Sequence, residues 1–587
     1  MRAGDFKLKD IKAMWTGRVL SVLENMAGTA GIDSKSFSKR LSVGKPPDSS
    51  MGDLSYPLFP FAKDFKKAPP ALAGEIAGEL GGEEAGVSVA GPYLNIRIDR
   101  AAAISRLLEN IESFGDKWGS GDELTGRKVM VEFSSPNTNK PLHLGHLRND
   151  ILGESCARII GSRGADVQKV NLVNDRGVHI CKSMLAYQKF GKGETPESLG
   201  IKSDRFVGDL YVKYSQWAKE EKSADEQAQS MLQAWEAGDK EVRELWKTMN
   251  GWALSGINAT YEKTGVSFDR FYRESETYLM GKDQVLKGLE SGVFYKDDDG
   301  SVRLDMSEIG LDTKVLLRSD GTSVYITQDL GTAISRHDEW PFDQLIYVVG
   351  NEQEYHFRVL FYTLQKLGFS WADKLRHLSY GMVNLPEGKM KSREGTVVDA
   401  DDLIDKLSSL ALDEIKEKGR ENDVGDAPAT AEKIAIAALH YFLLQVSPAK
   451  DMIFNPEESL AFNGNTGPYL QYMVARVSGL IAKAPKEVLE AEINPALLDR
   501  PDEWDLSRLV SEFPEIVFRA AEKLDPSILA AGLYEIAKEF SRYYHDVPIA
   551  KADNTELASS RMALAGAVLT TLKSGFYLLN IPYIESM

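Results

Sequence analysis

The sequence predicts a multidomain α/β protein built around a parallel sheet, and three observations carry that prediction. From about residue 122 to 404, strand-like and helix-like runs alternate, the pattern of parallel strands joined by crossover helices. The last 180 or so residues read as helix almost throughout. The first 118 combine a helical run with a short strand pair, as in a small α/β unit. A chain of 587 residues has room for about two to four domains.

The elements follow in order. Residues 7–26 have helical periodicity, 87–89 and 93–98 alternate as strands do, and Gly91-Pro92 marks the turn between them. A helical run at 101–111 leads into a glycine-rich connector at 115–121, which sets the first domain at 1–118. The second, 119–404, has strand-like runs at 129–133, 167–173, 344–349 and 377–383. Between about 178 and 270 it carries a long, charged, mostly helical segment that reads as an insertion. The third, 405–587, is helical, with a polar break at 424–428 before a helix at 431–444. No repeat or low-complexity tract is present.

Composition narrows the class. Hydrophobic residues at 43% and charged residues at 27% are those of a globular chain. No run of 18 apolar residues occurs and the N-terminus lacks an apolar signal core, so neither a membrane span nor secretion is expected. Two cysteines, Cys156 and Cys181, make no disulfide framework or metal spacing, which suits a reducing cytoplasm. The net charge is −17, yet residues 1–50 carry +4 against −21 for the remainder. A basic N-terminal region on an acidic body can still meet phosphate, because global charge does not set local potential.

The most informative stretch is Ser134-Ser135-Pro136-Asn137-Thr138-Asn139-Lys140-Pro141-Leu142-His143-Leu144-Gly145-His146. It joins the strand-like run at 128–133 to a helix-like run at 147–160. A helix start offers unpaired N–H groups and partial positive charge to an anion. Residues three apart share a helix face, so both imidazoles can address one ligand, and Gly145 lets it approach the backbone. A zinc reading fails: helical zinc-protease histidines stand four apart with a glutamate between them. About 240 residues on comes Gly388-Lys389-Met390-Lys391-Ser392-Arg393-Glu394-Gly395-Thr396, where glycines bracket three cations suited to neutralising a departing pyrophosphate.

In this order the two elements resemble the HIGH and KMSKS motifs of class I aminoacyl-tRNA synthetases. Within that class the chain is similar to the arginyl-tRNA synthetases over nearly its whole length. Three motifs carry this: 132–137 (Glu-Phe-Ser-Ser-Pro-Asn), 320–329 (Asp-Gly-Thr-Ser-Val-Tyr-Ile-Thr-Gln-Asp), and 464–472 (Gly-Asn-Thr-Gly-Pro-Tyr-Leu-Gln-Tyr) with Arg476 beyond. Gly52-Asp53 and the run at 91–96 resemble the family's additional N-terminal domain, which contacts the tRNA elbow. The resemblance implies a Rossmann-like catalytic core and an all-α anticodon-binding domain. It further implies ligation of L-arginine to tRNA(Arg) through arginyl-adenylate, with ATP and magnesium, no structural metal, a monomer, and activation that waits for tRNA.

It also implies roles. His143 and His146, with Lys389, Lys391 and Arg393, act on the phosphates. Pro136, Asn137, Leu144, Gly145, Gly350, Met382 and Ser392 border ATP. Glu274, Asp329 and Tyr325 line the guanidinium pocket, Asn137 and Gln353 hold the α-amino end, and Glu132 supports the same region. A planar five-donor guanidinium needs such fixed acceptors, and a hydrogen-bonding site rejects analogues by about 10⁴-fold without editing. Tyr469 and Tyr472 are candidates to stack on tRNA bases, with Tyr543 or Tyr544 and Met587 beside them. Two departures leave roles open. The lysine loop reads Lys-Met-Lys-Ser-Arg, so either lysine can be the one that meets pyrophosphate. Where many members have Gly-Asp-Trp-Gly, this chain has Asn174-Asp175-Arg176-Gly177.

Overall fold

The computed structural model describes residues 8–384, 386, 398–421 and 423–586. They form two compact units. One gathers the chain up to Gly119 with Met473–Ile516 and Gly532–Ser574; the other gathers Ser120–Tyr472, Val517–Ala531 and the residues from Gly575 on.

In the first unit, helix Leu8–Ala30 sets Trp15, Val19 and Leu23 on one stripe, four residues apart. That stripe shares a core with Tyr56, Leu94 and Ile96 of a three-stranded antiparallel sheet. The sheet order is Leu54–Pro57, Tyr93–Ile96, Val87–Ala90. The strand Leu54–Pro57 carries no long alternation and is not predicted from sequence. Gly52 (φ +130°) lies where a Cβ would sit 2.8 Å from the Ile96 carbonyl oxygen, so the backbone there needs glycine. Asp53 then accepts from the Ile98 N–H at 2.9 Å and from Arg100 at 2.8 Å, and Arg100 lies over the Trp504 ring. Leu498 and Trp504 enter the same core, so helical residues from late in the chain complete the N-terminal region.

The second unit holds a five-stranded parallel sheet. Its spatial order is Leu375–Tyr380, Gln344–Gly350, Lys128–Glu132, Asp166–Val173, Arg270–Arg273. Counted along the chain this is the order 3-2-1-4-5, five of the six strands of the Rossmann order, whose switch point lies between Lys128–Glu132 and Gln344–Gly350. Four strands overlap the predicted ones, although the run expected at 377–383 divides into Leu375–Tyr380 and a separate strand, Val383–Asn384, that pairs elsewhere. The fifth, Arg270–Arg273, is a sheet edge with an arginine at each end, and its residues do not alternate in burial. A small antiparallel sheet of Tyr295–Lys296, Val302–Leu304 and Lys314–Leu317 has strands too short to show a period.

Helices Val178–Phe190, Ser203–Glu220, Ala224–Glu236 and Lys240–Thr264 fall between two adjacent strands of the large sheet. They bury their own core of Met184, Phe206, Leu210, Tyr214 and Met249. The predicted domain boundary at 404 lies inside the second unit, within helix Ala400–Glu417, which packs on Ala427–Leu444 and on Leu144–Gly161. Beyond these come the long helices Gly467–Ala482, Pro501–Lys523, Pro526–Asp546 and Thr555–Leu578. Among the described residues no helix is long and apolar enough to cross a membrane.

Candidate active site

The site begins where strand Lys128–Glu132 ends. Ser134 (φ +74°) and Ser135 (φ +49°) turn the chain through left-handed backbone, a strained conformation for residues with a side chain. Surrounding polar groups hold it. Ser134 N–H donates to Asn149 Oδ1 at 2.5 Å and its hydroxyl meets Tyr261 at 2.5 Å. Ser135 N–H donates to Asn171 Oδ1 at 3.2 Å, and Asn174 Nδ2 donates to the Ser135 carbonyl at 3.0 Å.

The turn sends the chain along the carboxyl edge of the sheet to His143, the N-cap of helix Leu144–Gly161. His143 Nδ1 accepts the Gly145 N–H at 3.1 Å, and His146 Nδ1 accepts the His143 N–H at 3.1 Å. Both imidazoles therefore carry their proton on Nε2. Burial drives the His143 pKa down to about 4 and that of His146 well below the usual histidine range, with Lys140 adding to both. They are neutral donors at a helix start, not cations. Burial also lowers the Lys140 pKa. Lys140 is the cation beside this pair and belongs with the site; its place three residues before His143 was the available signal.

The ends of the lysine loop are tied to the same helix. Leu144 N–H donates to the Val398 carbonyl at 3.3 Å and Ala400 N–H to the Leu142 carbonyl at 3.0 Å. At the other end, buried Arg148 donates to the carbonyls of Gly381 (2.7 Å), Met382 (3.2 Å), Pro448 (3.2 Å) and Lys450 (2.8 Å). Lys389, Lys391, Ser392 and Arg393, like Met587, lie outside the described residues.

The candidate arginine pocket is built by two helix starts. Glu274 opens Glu274–Thr277 directly after strand Arg270–Arg273, and Tyr325 opens Tyr325–Glu339 with Asp329 one turn on. The two helices pack together. A Cβ on Gly281 (φ +89°) would run into the Thr327 carbonyl and one on Gly331 into Met280, so two glycines allow the backbones to touch. Glu274 is pushed up to about 7, chiefly by burial; Arg176 opposes the rise, and Asp175 and Asp329 add to it. A half-buried carboxyl beside two others is a site short of positive charge. Asp329 also meets His356 Nε2 at 2.6 Å.

Other predicted residues separate by environment. Tyr325 is 77% exposed. Asn137 and Gln353 are exposed, Gln353 just past strand Gln344–Gly350. Gly350 is buried at that strand's end, and Met382 is exposed with its N–H bonded to Asp451. Buried Pro136 accepts the Asn174 N–H at 2.9 Å. Leu144 is fully buried, so its side chain faces the core and only its backbone borders the site. Glu132 is buried and ion-paired with buried Arg336; its carboxylate is used internally, and it supports the strand end. Asp175 lies in the Asn174–Gly177 stretch whose role the sequence leaves open, whereas His356 and Arg336 stand in no motif and read as solvated surface.

In the C-terminal helices, Tyr469 and Tyr472 stand three apart on Gly467–Ala482 and are half-buried. Tyr543 is core, bonded to Glu503 at 3.2 Å, whereas Tyr544 is 38% exposed under the Arg476 guanidinium.

This geometry, a Rossmann-like parallel sheet with a histidine pair at its switch point, is that of class I synthetases. Residues 115–456 match the family "tRNA synthetases class I (R), catalytic domain". Residues 16–98 match "Arginyl tRNA synthetase N terminal domain" and 470–587 match "DALR anticodon binding domain". An arginine–tRNA ligase of Treponema denticola is 56% identical over 99% of this chain and 100% of its own; that of Treponema pallidum is 52% identical with the same coverage. A solved Thermus thermophilus arginyl-tRNA synthetase superposes with a TM-score of 0.77 at 27% identity, covering 93% of this chain and 96% of its own. The chain belongs to the arginyl-tRNA synthetase family.

Proposed function

We infer that this chain joins L-arginine to tRNA(Arg) at the expense of ATP. The observation that carries this reading is the pairing of Glu274 and Asp329 on packed helix starts at the sheet edge that also bears His143 and His146. In the first step the arginine carboxylate attacks the α-phosphorus of ATP, giving arginyl-adenylate and pyrophosphate. In the second a terminal adenosine hydroxyl of the tRNA attacks the activated carbonyl and releases AMP. The substrate brings its own nucleophile, so the protein's work is positioning and charge stabilisation. His143 and His146 donate Nε2–H bonds to phosphate oxygens, with Lys140 adding positive charge. Lys389, Lys391 and Arg393 meet the departing pyrophosphate. Magnesium accompanies ATP, held by phosphates and water.

Glu274 and Asp329 accept the guanidinium, Tyr325 covers it, and Asn137 and Gln353 hold the α-amino end. Pro136, Leu144, Gly145, Gly350 and Met382 border the nucleotide through backbone and packing, with Ser392 assigned to the same ligand by its motif. Tyr469, Tyr472 and Tyr544 are assigned to the tRNA, and so, from the family resemblance alone, is Met587. The proposed domains are 1–118, 119–404 and 405–587. The proposed state is a monomer, and two free buried cysteines suit the reducing cytoplasm. ATP–pyrophosphate exchange with each amino acid, in the presence of total tRNA, tests the assignment. Arginine alone should support exchange; exchange with another amino acid and not with arginine overturns it.

A further inference from the structure

Asp175 stands at the end of strand Asp166–Val173 and is 0% exposed. One carboxylate oxygen accepts the Ser275 N–H at 2.8 Å and the other accepts the Ser275 hydroxyl at 2.8 Å. Arg273 Nη1 lies 3.7 Å away. A buried carboxylate that takes both donors of one residue fixes that residue's backbone. Ser275 directly follows Glu274, so the fixed backbone is the one that aims the Glu274 carboxylate.

The other side of the same loop is fixed as well. Asn174 N–H donates to the Pro136 carbonyl at 2.9 Å, and Thr138 N–H donates to the Asn174 carbonyl at 3.2 Å. Asn174 Nδ2 reaches the Ser135 carbonyl at 3.0 Å, and Trp246 Nε1 donates to the Asp175 carbonyl at 2.7 Å. The Asn174-Asp175 pair therefore connects the loop that leads to His143 with the residue next to Glu274.

We propose that Asp175 is a positioning residue for arginine recognition: through Ser275 it holds Glu274 at a set place relative to both Asp329 and the nucleotide loop. A guanidinium presents donors in a rigid plane, so its acceptors must be held in matching positions. The reacting carboxylate, at the far end of the same substrate, is placed by that grip. The proposal rests on the reading of Glu274 as a guanidinium acceptor.

Four variants of the full chain test it: Asp175→Ala, Asp175→Asn, Ser275→Ala and Glu274→Gln. Each is measured in tRNA-dependent pyrophosphate exchange for KM of arginine, KM of ATP and kcat. Asp175→Ala should raise the arginine KM by about tenfold or more while the ATP KM stays within about twofold. Asp175→Asn keeps an acceptor for the Ser275 N–H and an amide for its hydroxyl, and should return the arginine KM to within about threefold of the parent. Ser275→Ala, which removes one of two bonds, should raise it by about threefold. It carries the test if Asp175→Ala does not fold. Equal rises in both KM values, or an unmoved arginine KM in Ser275→Ala and Asp175→Ala, overturn the proposal. If Glu274→Gln leaves the arginine KM unchanged, the reading of Glu274 itself fails. If Glu274→Gln raises it and the Asp175 and Ser275 variants do not, only the positioning role is lost.

Discussion

His143 and His146 lie side by side, ring centroids 3.8 Å apart and the planes tilted by 36°, and each spends its Nδ1 on a backbone N–H of the same helix start. Two imidazoles this close cannot both be protonated without strong repulsion. The capping bonds settle the matter by leaving each ring neutral with its proton on Nε2. The proposed role of the pair, as hydrogen-bond donors to phosphate, needs no titration near neutrality.

His146→Ala should lower adenylate formation by about 10²-fold, the usual loss for one donor to a transition-state oxygen. Its tRNA affinity should be unchanged. Exchange kinetics and filter binding check this, and equal loss of both would assign His146 to folding. The exchange rate of the parent protein should show no ionisation from these two groups between pH 5 and 8.

Burial pushes the Glu274 carboxyl up to about 7, and its proposed partner is the guanidinium of arginine. Arginine carries a positive guanidinium, so it binds the carboxylate form and pulls that pKa down. Below pH 7 binding must release a proton; above it none is released. The arginine KM should therefore rise by up to about tenfold for each pH unit below 7 and level off above. Glu274→Gln should raise the KM and flatten its pH dependence. A native KM that is flat from pH 5.5 to 8.5 would contradict the assignment.

Burial raises the Asp150 carboxyl to about 7, and the Ser134 hydroxyl offsets only part of that rise. The unfolded chain ionises this group near the usual aspartate value. Between the two pKa values folding takes up a proton, so this contribution to stability falls as pH rises from about 4 to 7 and is then constant. Asp150→Asn mimics the protonated acid. It should match the parent at pH 4 and exceed it by about 4 kcal/mol at pH 8, as read by urea denaturation at both pH values.

Glu132 and Arg336 form a buried ion pair with almost no solvent contact. Glu132→Ala should cost about 3–5 kcal/mol, because it strands a buried guanidinium. Adding Arg336→Leu should recover much of that loss, the signature of a coupled pair. A double variant no more stable than Glu132→Ala would show that the cost lies elsewhere.

What the sequence made legible was local. The path from strand Lys128–Glu132 to helix Leu144–Gly161 could be read because the strand, the cap and the helix are consecutive. The cup of Glu274 and Asp329 depends on contacts between distant segments. It exists because Gly281 and Gly331 let two backbones touch, and no periodicity announces such a contact. Arg336 looks like a surface charge until its buried partner is seen, and Asp175 stands in a stretch whose role the sequence leaves open. Tyr543 and Tyr544 are adjacent in sequence, yet one is core and the other is on the surface, because neighbours on a helix point about 100° apart. Resemblance to a family supplied the residue roles that spacing could not.

The most direct test of the account is a crystal structure with a non-hydrolysable arginyl-adenylate analogue bound. The guanidinium should lie about 2.7–3.0 Å from carboxylate oxygens of both Glu274 and Asp329, with the phosphate within hydrogen-bond reach of Nε2 of His143 or His146. A ligand seated elsewhere, with Glu274 and Asp329 turned toward bulk water, would contradict it.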